Sequence, residues 1–133
     1  MIEISNLSKS FGSFCAVDRI SFQVAPGEVL GILGPNGAGK STTMKMITGF
    51  LTPTEGSVRL YGKDVTEDAI AAKKLIGYLP EGAPSYGDMT VMQFLEFIAD
   101  MRELAVDERL SRIAEVIASV ELNEVLHKTI DTL

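Results

Sequence analysis

Gly34-Pro35-Asn36-Gly37-Ala38-Gly39-Lys40-Ser41 carries the spacing G-x-x-x-x-G-K-[ST]. Before it, Val29-Leu30-Gly31-Ile32-Leu33 is apolar without alternation, which predicts a short strand buried on both faces. After it, Thr42 to Thr48 predicts a helix. Met44 and Ile47 lie three apart and share a face, and Gly49 is placed to end the helix. Strand, glycine-rich loop and helix form the context that separates a phosphate-binding loop from a chance match.

The charge on a polyphosphate explains the composition of this loop. Glycines at 34, 37 and 39 permit backbone torsions and a close approach that a Cβ would block. Successive N–H groups, Asn36 and Ala38 among their carriers, then face inward as an anion nest at the positive end of the helix. Lys40 is placed to reach the β- and γ-phosphates, and the Ser41 hydroxyl to ligate Mg²⁺. The bland alternative is a glycine-rich turn with a solvated lysine, but every fixed position is filled and both flanks fit. The sequence predicts a nucleoside-triphosphate site.

Upstream of the loop, Ile2 and Ile4 alternate with polar residues and predict a first strand ending near Leu7. Ser8 to Ser13 is polar and contains Gly12, which places Phe11 in a loop. Ile20, Phe22 and Val24 alternate again as a second strand, and Ala25-Pro26-Gly27-Glu28 is a tight turn. Downstream, Thr52 to Gly56 is a turn, Ser57 to Tyr61 a strand and Glu67 to Lys74 a short helix. Leu75 to Leu79 is a second compact apolar run stopped by Pro80, and Glu81 to Asp88, with Pro84, is a loop. Thr90-Val91-Met92-Gln93 reads as a capping box opening a helix to about Arg102. Asp107 is expected to cap a second helix with Leu110, Ile113, Ile117 and Val120 on one face, and a third begins near Asn123. From Thr90 the pattern is helical only.

Composition narrows the function. The 133 residues make one domain's worth of chain, and 46% hydrophobic with 23% charged residues is globular rather than disordered. A net charge of −6 without a basic stripe argues against nucleic acid as a partner. The lone Cys15 excludes an internal disulfide, suits a reducing cytosol and is expected to be a small packing residue. No apolar run approaches the ~20 residues needed to span a bilayer, so any membrane link is expected to run through a partner.

Several stretches together resemble the ATP-binding subunit of ABC transporters. These are Leu7-Ser8-Lys9-Ser10-Phe11-Gly12, Ala16-Val17, Pro26-Gly27-Glu28, the loop 34–42, Thr52-Pro53-Thr54-Glu55-Gly56, Tyr61-Gly62-Lys63-Asp64 and Ile76-Gly77-Tyr78-Leu79-Pro80. Leu79-Pro80-Glu81-Gly82 and Tyr86-Gly87-Asp88-Met89-Thr90 look most like the exporter type. The resemblance covers essentially the whole chain. It implies an α/β P-loop NTPase fold of the ABC ATPase type, a mixed sheet with an antiparallel β-subdomain plus the start of a helical subdomain. Residues 1–89 would be the core with its Q-loop, and residues 90–133 the incomplete helical part, all within one ABC ATPase domain.

For the site, the resemblance places Phe11 where an aromatic ring stacks on adenine and Val17 as an apolar contact to that ring. Gly34, Asn36, Gly37, Ala38, Gly39, Lys40, Ser41 and Thr42 would bind the nucleotide, and Lys40 and Glu81 would be the catalytic pair. Glu81 stands where the family usually carries a glutamine that touches Mg²⁺; a carboxylate is a harder, charged ligand for the same metal. The implied cofactors are ATP and Mg²⁺. The implied partners are a transmembrane permease subunit and a second ATP-binding subunit, at the cytoplasmic face of the cell membrane.

The family also uses an acidic strand end, a glutamate base, a serine-glycine signature and a switch histidine. Phe97-Ile98-Ala99-Asp100 mimics the first but lies in the helical pattern, so Asp100 is assigned to a solvated helix face. His127 is assigned to an exposed helix face. The signature would begin near Asp131-Thr132-Leu133, so the reading is of a truncated front half, binding ATP weakly and not hydrolysing it. Two other readings are a soluble ABC protein working on the ribosome, DNA or cluster assembly, and a nucleotide-sensing scaffold. A GTPase is disfavoured, because the chain contains no N-K-x-D guanine-reading motif.

Overall fold

A computed structural model describes residues 1–82 and 86–133, so Pro84 of the expected loop lies outside the described residues. The chain divides into two compact units, Met1–Tyr78 and Leu79–Leu133.

In the first unit, β1 (Ile2–Phe11), β2 (Phe14–Val24), β3 (Glu55–Leu60) and β4 (Lys63–Asp64) form a sheet ordered β2-β1-β3-β4. Every pairing in it is antiparallel. This is the antiparallel part of the expected mixed sheet, and no parallel pairing occurs among the described residues. Helix α1 (Lys40–Ile47) and the short α2 (Ala69–Lys74) complete the unit. The core gathers Ile4, Leu7, Val58 and Leu60 from the sheet, Met46 and Ile47 from α1, and Ala72 from α2. Leu7, Met46 and Val58 are fully buried, each stabilising by about 1.5–3 kcal/mol relative to exposure.

Three expectations are corrected here. Val29–Leu33 is not a strand: residues 28–35 have no regular secondary structure, and Val29 and Leu33 are 97% and 94% exposed. An apolar run becomes a strand only by pairing, and no described strand pairs with this one. Residues 76–80 are irregular too. Phe11 is not in a loop but ends β1, because the hairpin turn is only Gly12-Ser13 and Phe11 faces Phe14 across it. Polar residues Ser8 and Ser10 stay in the strand because the neighbouring chain satisfies them. The Arg19 N–H donates to Ser8 Oγ at 2.9 Å, and the Ser10 N–H to Thr54 Oγ1 at 3.1 Å.

The second unit is a helical hairpin of α3 (Val91–Met101) and α4 (Val106–Ser119). Ala99, Ile113 and Ile117 are its buried centre, with Met92, Leu95, Leu104, Leu122 and Leu126 packed around them. The capping box forms as the spacing predicts. The Gln93 N–H donates to Thr90 Oγ1 at 3.2 Å and the Thr90 N–H to Gln93 Oε1 at 2.9 Å. Thr90→Ala is expected to cost about 0.5–2 kcal/mol of stability, read as a lower urea midpoint, with Thr90→Ser close to wild type.

α4 is capped by Ala105 rather than Asp107, which instead sits in the first turn where its charge suits the helix dipole. Ile113 and Ile117 face the core as predicted, whereas Leu110 is 77% exposed and Val120 is exposed. The third helix expected near Asn123 is a run of turns. Glu121 at φ 55° breaks the helical path, and i→i−3 bonds from Val125 to Leu122 and from Lys128 to Val125 carry the chain on. His127 is therefore exposed on a turn, not a helix. A short 3-10 turn, Ile130–Thr132, then straps across the start of α3, with Ile130 N–H on Met89 O at 3.0 Å. Asp100 is not merely solvated, since its carboxylate meets Arg109 Nη2 at 2.6 Å and joins α3 to α4.

Candidate functional site

The loop 34–41 closes on itself through Lys40. Its ammonium donates to Gly34 O at 2.7 Å and to Pro35 O at 2.8 Å, and the Ala38 N–H donates to Pro35 O at 3.2 Å. Helix α1 starts at Lys40 itself, two residues before the predicted Thr42. Its first N–H groups, on Lys40, Ser41 and Thr42, have no acceptor within the helix, and no side chain caps it. An uncapped helix start facing a glycine-rich loop attracts an anion. Gly34, Pro35, Asn36, Gly37, Ala38 and Ser41 are exposed, so the loop is open to a ligand.

Gly39 fastens the loop to the sheet. It caps α1 in the left-handed region at φ 84°, and a Cβ there would lie 2.5 Å from Ala16 O and 3.1 Å from Val17 Cγ2. Val17 is buried on β2 and therefore meets the phosphate loop directly. Beside this contact lies a cavity of about 330 Å³. Its wall runs from Ala16, Val17 and Asp18 on β2 to Ile32, Ala38 and Lys40. Asp18 holds the neighbouring Arg19 through a 3.1 Å hydrogen bond, which with the charge of that carboxylate raises the guanidinium pKa above its usual value.

Phe11, at the end of β1, is 51% exposed, and the Lys9 ammonium sits 5.3 Å from its ring centroid. Cys15 on the facing strand is exposed rather than packed, its Sγ placed 3.4 Å from Val17 O. A lone cysteine between Phe14 and Ala16 in a half-buried strand falls on either face, and the residue pattern did not say which.

With this geometry in place, the comparisons with known proteins are decisive. The family model described as ABC transporter matches residues 17–133. The chain belongs to the ABC transporter family. The "Probable multidrug ABC transporter ATP-binding protein YbhF" of Escherichia coli is 43% identical over 118 residues, 86% of this chain and 20% of that protein. The "Sulfate/thiosulfate import ATP-binding protein CysA" of Thermosynechococcus vestitus is 36% identical over 121 residues, 91% of this chain and 36% of that protein. The solved structure of an ATP binding subunit of an ABC transporter superposes with a TM-score of 0.86 at 26% identity, over 96% of this chain and 53% of that one. This ABC transporter chain thus spans between a fifth and about half the length of these proteins, and it has the fold of their ATP-binding domains.

Of the positions singled out in the sequence, the first unit of this ABC chain holds Phe11, Val17, Gly34, Asn36, Gly37, Ala38, Gly39, Lys40, Ser41 and Thr42. Glu81 belongs to the second unit, exposed on a turn with Gly82. Lys9 and Ala16 stand in the family-like stretches without a role of their own, and Asp18 carries no sequence signal. The i, i+2 spacing of Lys9 and Phe11 on one strand was the available signal for the first.

Proposed function

We propose that this chain is the nucleotide-binding part of a transport ATPase, taking ATP at the loop 34–41. The observation that carries the reading is the Lys40 ammonium, already fixed over the loop by two carbonyls beside an uncapped helix start. On binding, it would exchange neutral carbonyl acceptors for anionic phosphate oxygens, which adds the attraction between opposite full charges. Phe11 and Val17 would receive the base. We assign the exposed Ser41 hydroxyl to Mg²⁺, an ion that keeps several waters and needs only one or two protein ligands beside the phosphates, and on the family resemblance alone we assign Glu81 to it as well. When bound, Mg²⁺ neutralises charge on the phosphates.

In the whole protein, we assign the ATPase cycle to a pair of such subunits driving a transmembrane permease, with Lys40 and Glu81 as the catalytic residues. Residues 1–89 act as its core and residues 90–133 as part of its helical subdomain. Among the described residues no helix is long and apolar enough to cross a membrane, and on the family resemblance we assign the chain to the inner face of the membrane through its permease partner. Export is the direction we assign, on the likeness of the residues from Leu79 to Gly82 and from Tyr86 to Thr90 to that type.

Calorimetric titration of the 133-residue chain with ATP and Mg²⁺ is expected to give weak, saturable binding without phosphate release above background. Phe11→Ala is expected to weaken ATP by about fivefold, the lower end of base-stacking effects. Absence of any ATP binding would refute the reading, and Lys40-dependent turnover would refute the inactivity of the isolated chain.

A further inference from the structure

We propose that Lys9 is a positioning residue for the nucleotide base: it holds one face of the Phe11 ring, leaving the other as the stacking surface. This rests on the nucleotide reading above and adds to it a residue that no motif assigns.

Lys9 and Phe11 are two apart on β1 and share a face. The ammonium lies 5.3 Å from the ring centroid, within the ~6 Å range in which a cation is attracted to an aromatic face. The same Nζ donates to Thr52 O at 2.7 Å. That turn is itself tied to β1, by the Thr54 N–H on Ser8 O at 2.9 Å and the Ser10 N–H on Thr54 Oγ1 at 3.1 Å. The cation therefore has a fixed seat and fixes the ring plane in turn.

A ring held this way offers one free face. Phe14, its partner across the hairpin, is more exposed at 62%. Fixing the ring before the base arrives removes rotamer freedom that stacking would otherwise have to freeze. A cation on one face also withdraws electron density from the other, which favours an electron-rich purine there.

The test compares wild type, Lys9→Met, Lys9→Arg, Phe11→Ala and the double variant Lys9→Met/Phe11→Ala. Each is titrated by calorimetry with Mg²⁺ and either ATP or inorganic tripolyphosphate, which has phosphates but no base. Lys9→Met is expected to weaken ATP roughly two- to fivefold and leave tripolyphosphate unchanged. Lys9→Arg should restore ATP binding, because a guanidinium keeps the cation over the ring. In the Phe11→Ala background the methionine should have no further effect. Equal weakening of both ligands, or an undiminished loss without the ring, would assign Lys9 a purely structural role and overturn the proposal. If wild type binds tripolyphosphate but Phe11→Ala leaves ATP unchanged, the base does not sit on this ring and the inference falls alone. If wild type binds neither ligand, the nucleotide reading falls first.

Discussion

Lys40→Met is expected to lower the affinity for ATP by roughly ten- to a hundredfold, the loss of one charge-assisted contact of about 1.5–3 kcal/mol. The effect should be as large on tripolyphosphate as on ATP, because Lys40 stands at the phosphate loop and not beside Phe11. Stability should barely change. The carbonyls that accept from Lys40 belong to Gly34 and Pro35, both exposed, and water replaces the ammonium at each of them. Lys40→Arg should recover only part of the affinity, since a planar fork does not substitute for a compact point charge in a tight loop. The four quantities, two affinities and two melting temperatures, separate a phosphate ligand from a loop brace. A variant that melts lower but binds tripolyphosphate normally would make Lys40 a brace.

The parts of the molecule legible in the sequence are those whose cause is local. Thr90 and Gln93 satisfy one another's donors at a spacing of three, so the start of α3 needed no tertiary information. The phosphate loop is equally local, because glycine positions and a lysine define it. Helical period put Ile113 and Ile117 on the buried face, though it put Leu110 and Val120 there as well and both are exposed. The failures share a different cause. Val29–Leu33 has the composition of a strand, but a strand exists only through pairing with neighbours elsewhere in the fold, and none of the described strands pairs with it. Phe11 was assigned to a loop because Ser8 and Ser10 looked too polar for a strand. The hydroxyl and amide partners that admit them come from β2 and from Thr54, 11 and 44 residues away respectively. The run after Val120 has apolar residues at helical spacing, yet a left-handed Glu121 redirects the chain. Leu122 and Leu126 reach the same core from turns. The Lys9–Phe11 pairing escaped notice because a lysine in a polar stretch reads as solvated until its acceptor, the carbonyl of Thr52, is seen.

Gly39→Ala is expected to be the most damaging single-methyl change in the loop, and Gly37→Ala is its control. Both glycines sit at φ 84°, so each alanine bears left-handed strain of about 1–3 kcal/mol. At Gly37 the new Cβ meets nothing within 4 Å, whereas at Gly39 it lies 2.5 Å from Ala16 O and 3.1 Å from Val17 Cγ2. A backbone carbonyl, even at the register shift where Ala16 sits, does not yield as a flexible side-chain end would, so the loop is expected to move off β2 instead. Overpacking of this kind adds about 1–3 kcal/mol, and in a unit of this size each kcal/mol lowers the melting midpoint by about 4–8 °C. Gly39→Ala should therefore melt well below Gly37→Ala. It should also bind ATP more weakly, because the displaced loop carries the start of α1, and with it the uncapped N–H groups of Lys40 and Ser41, away from Val17. Coincident melting of the two variants would mean that the loop is not seated on β2. The link between the phosphate cradle and the wall assigned to the base would then be lost, although Lys40 could still bind phosphate.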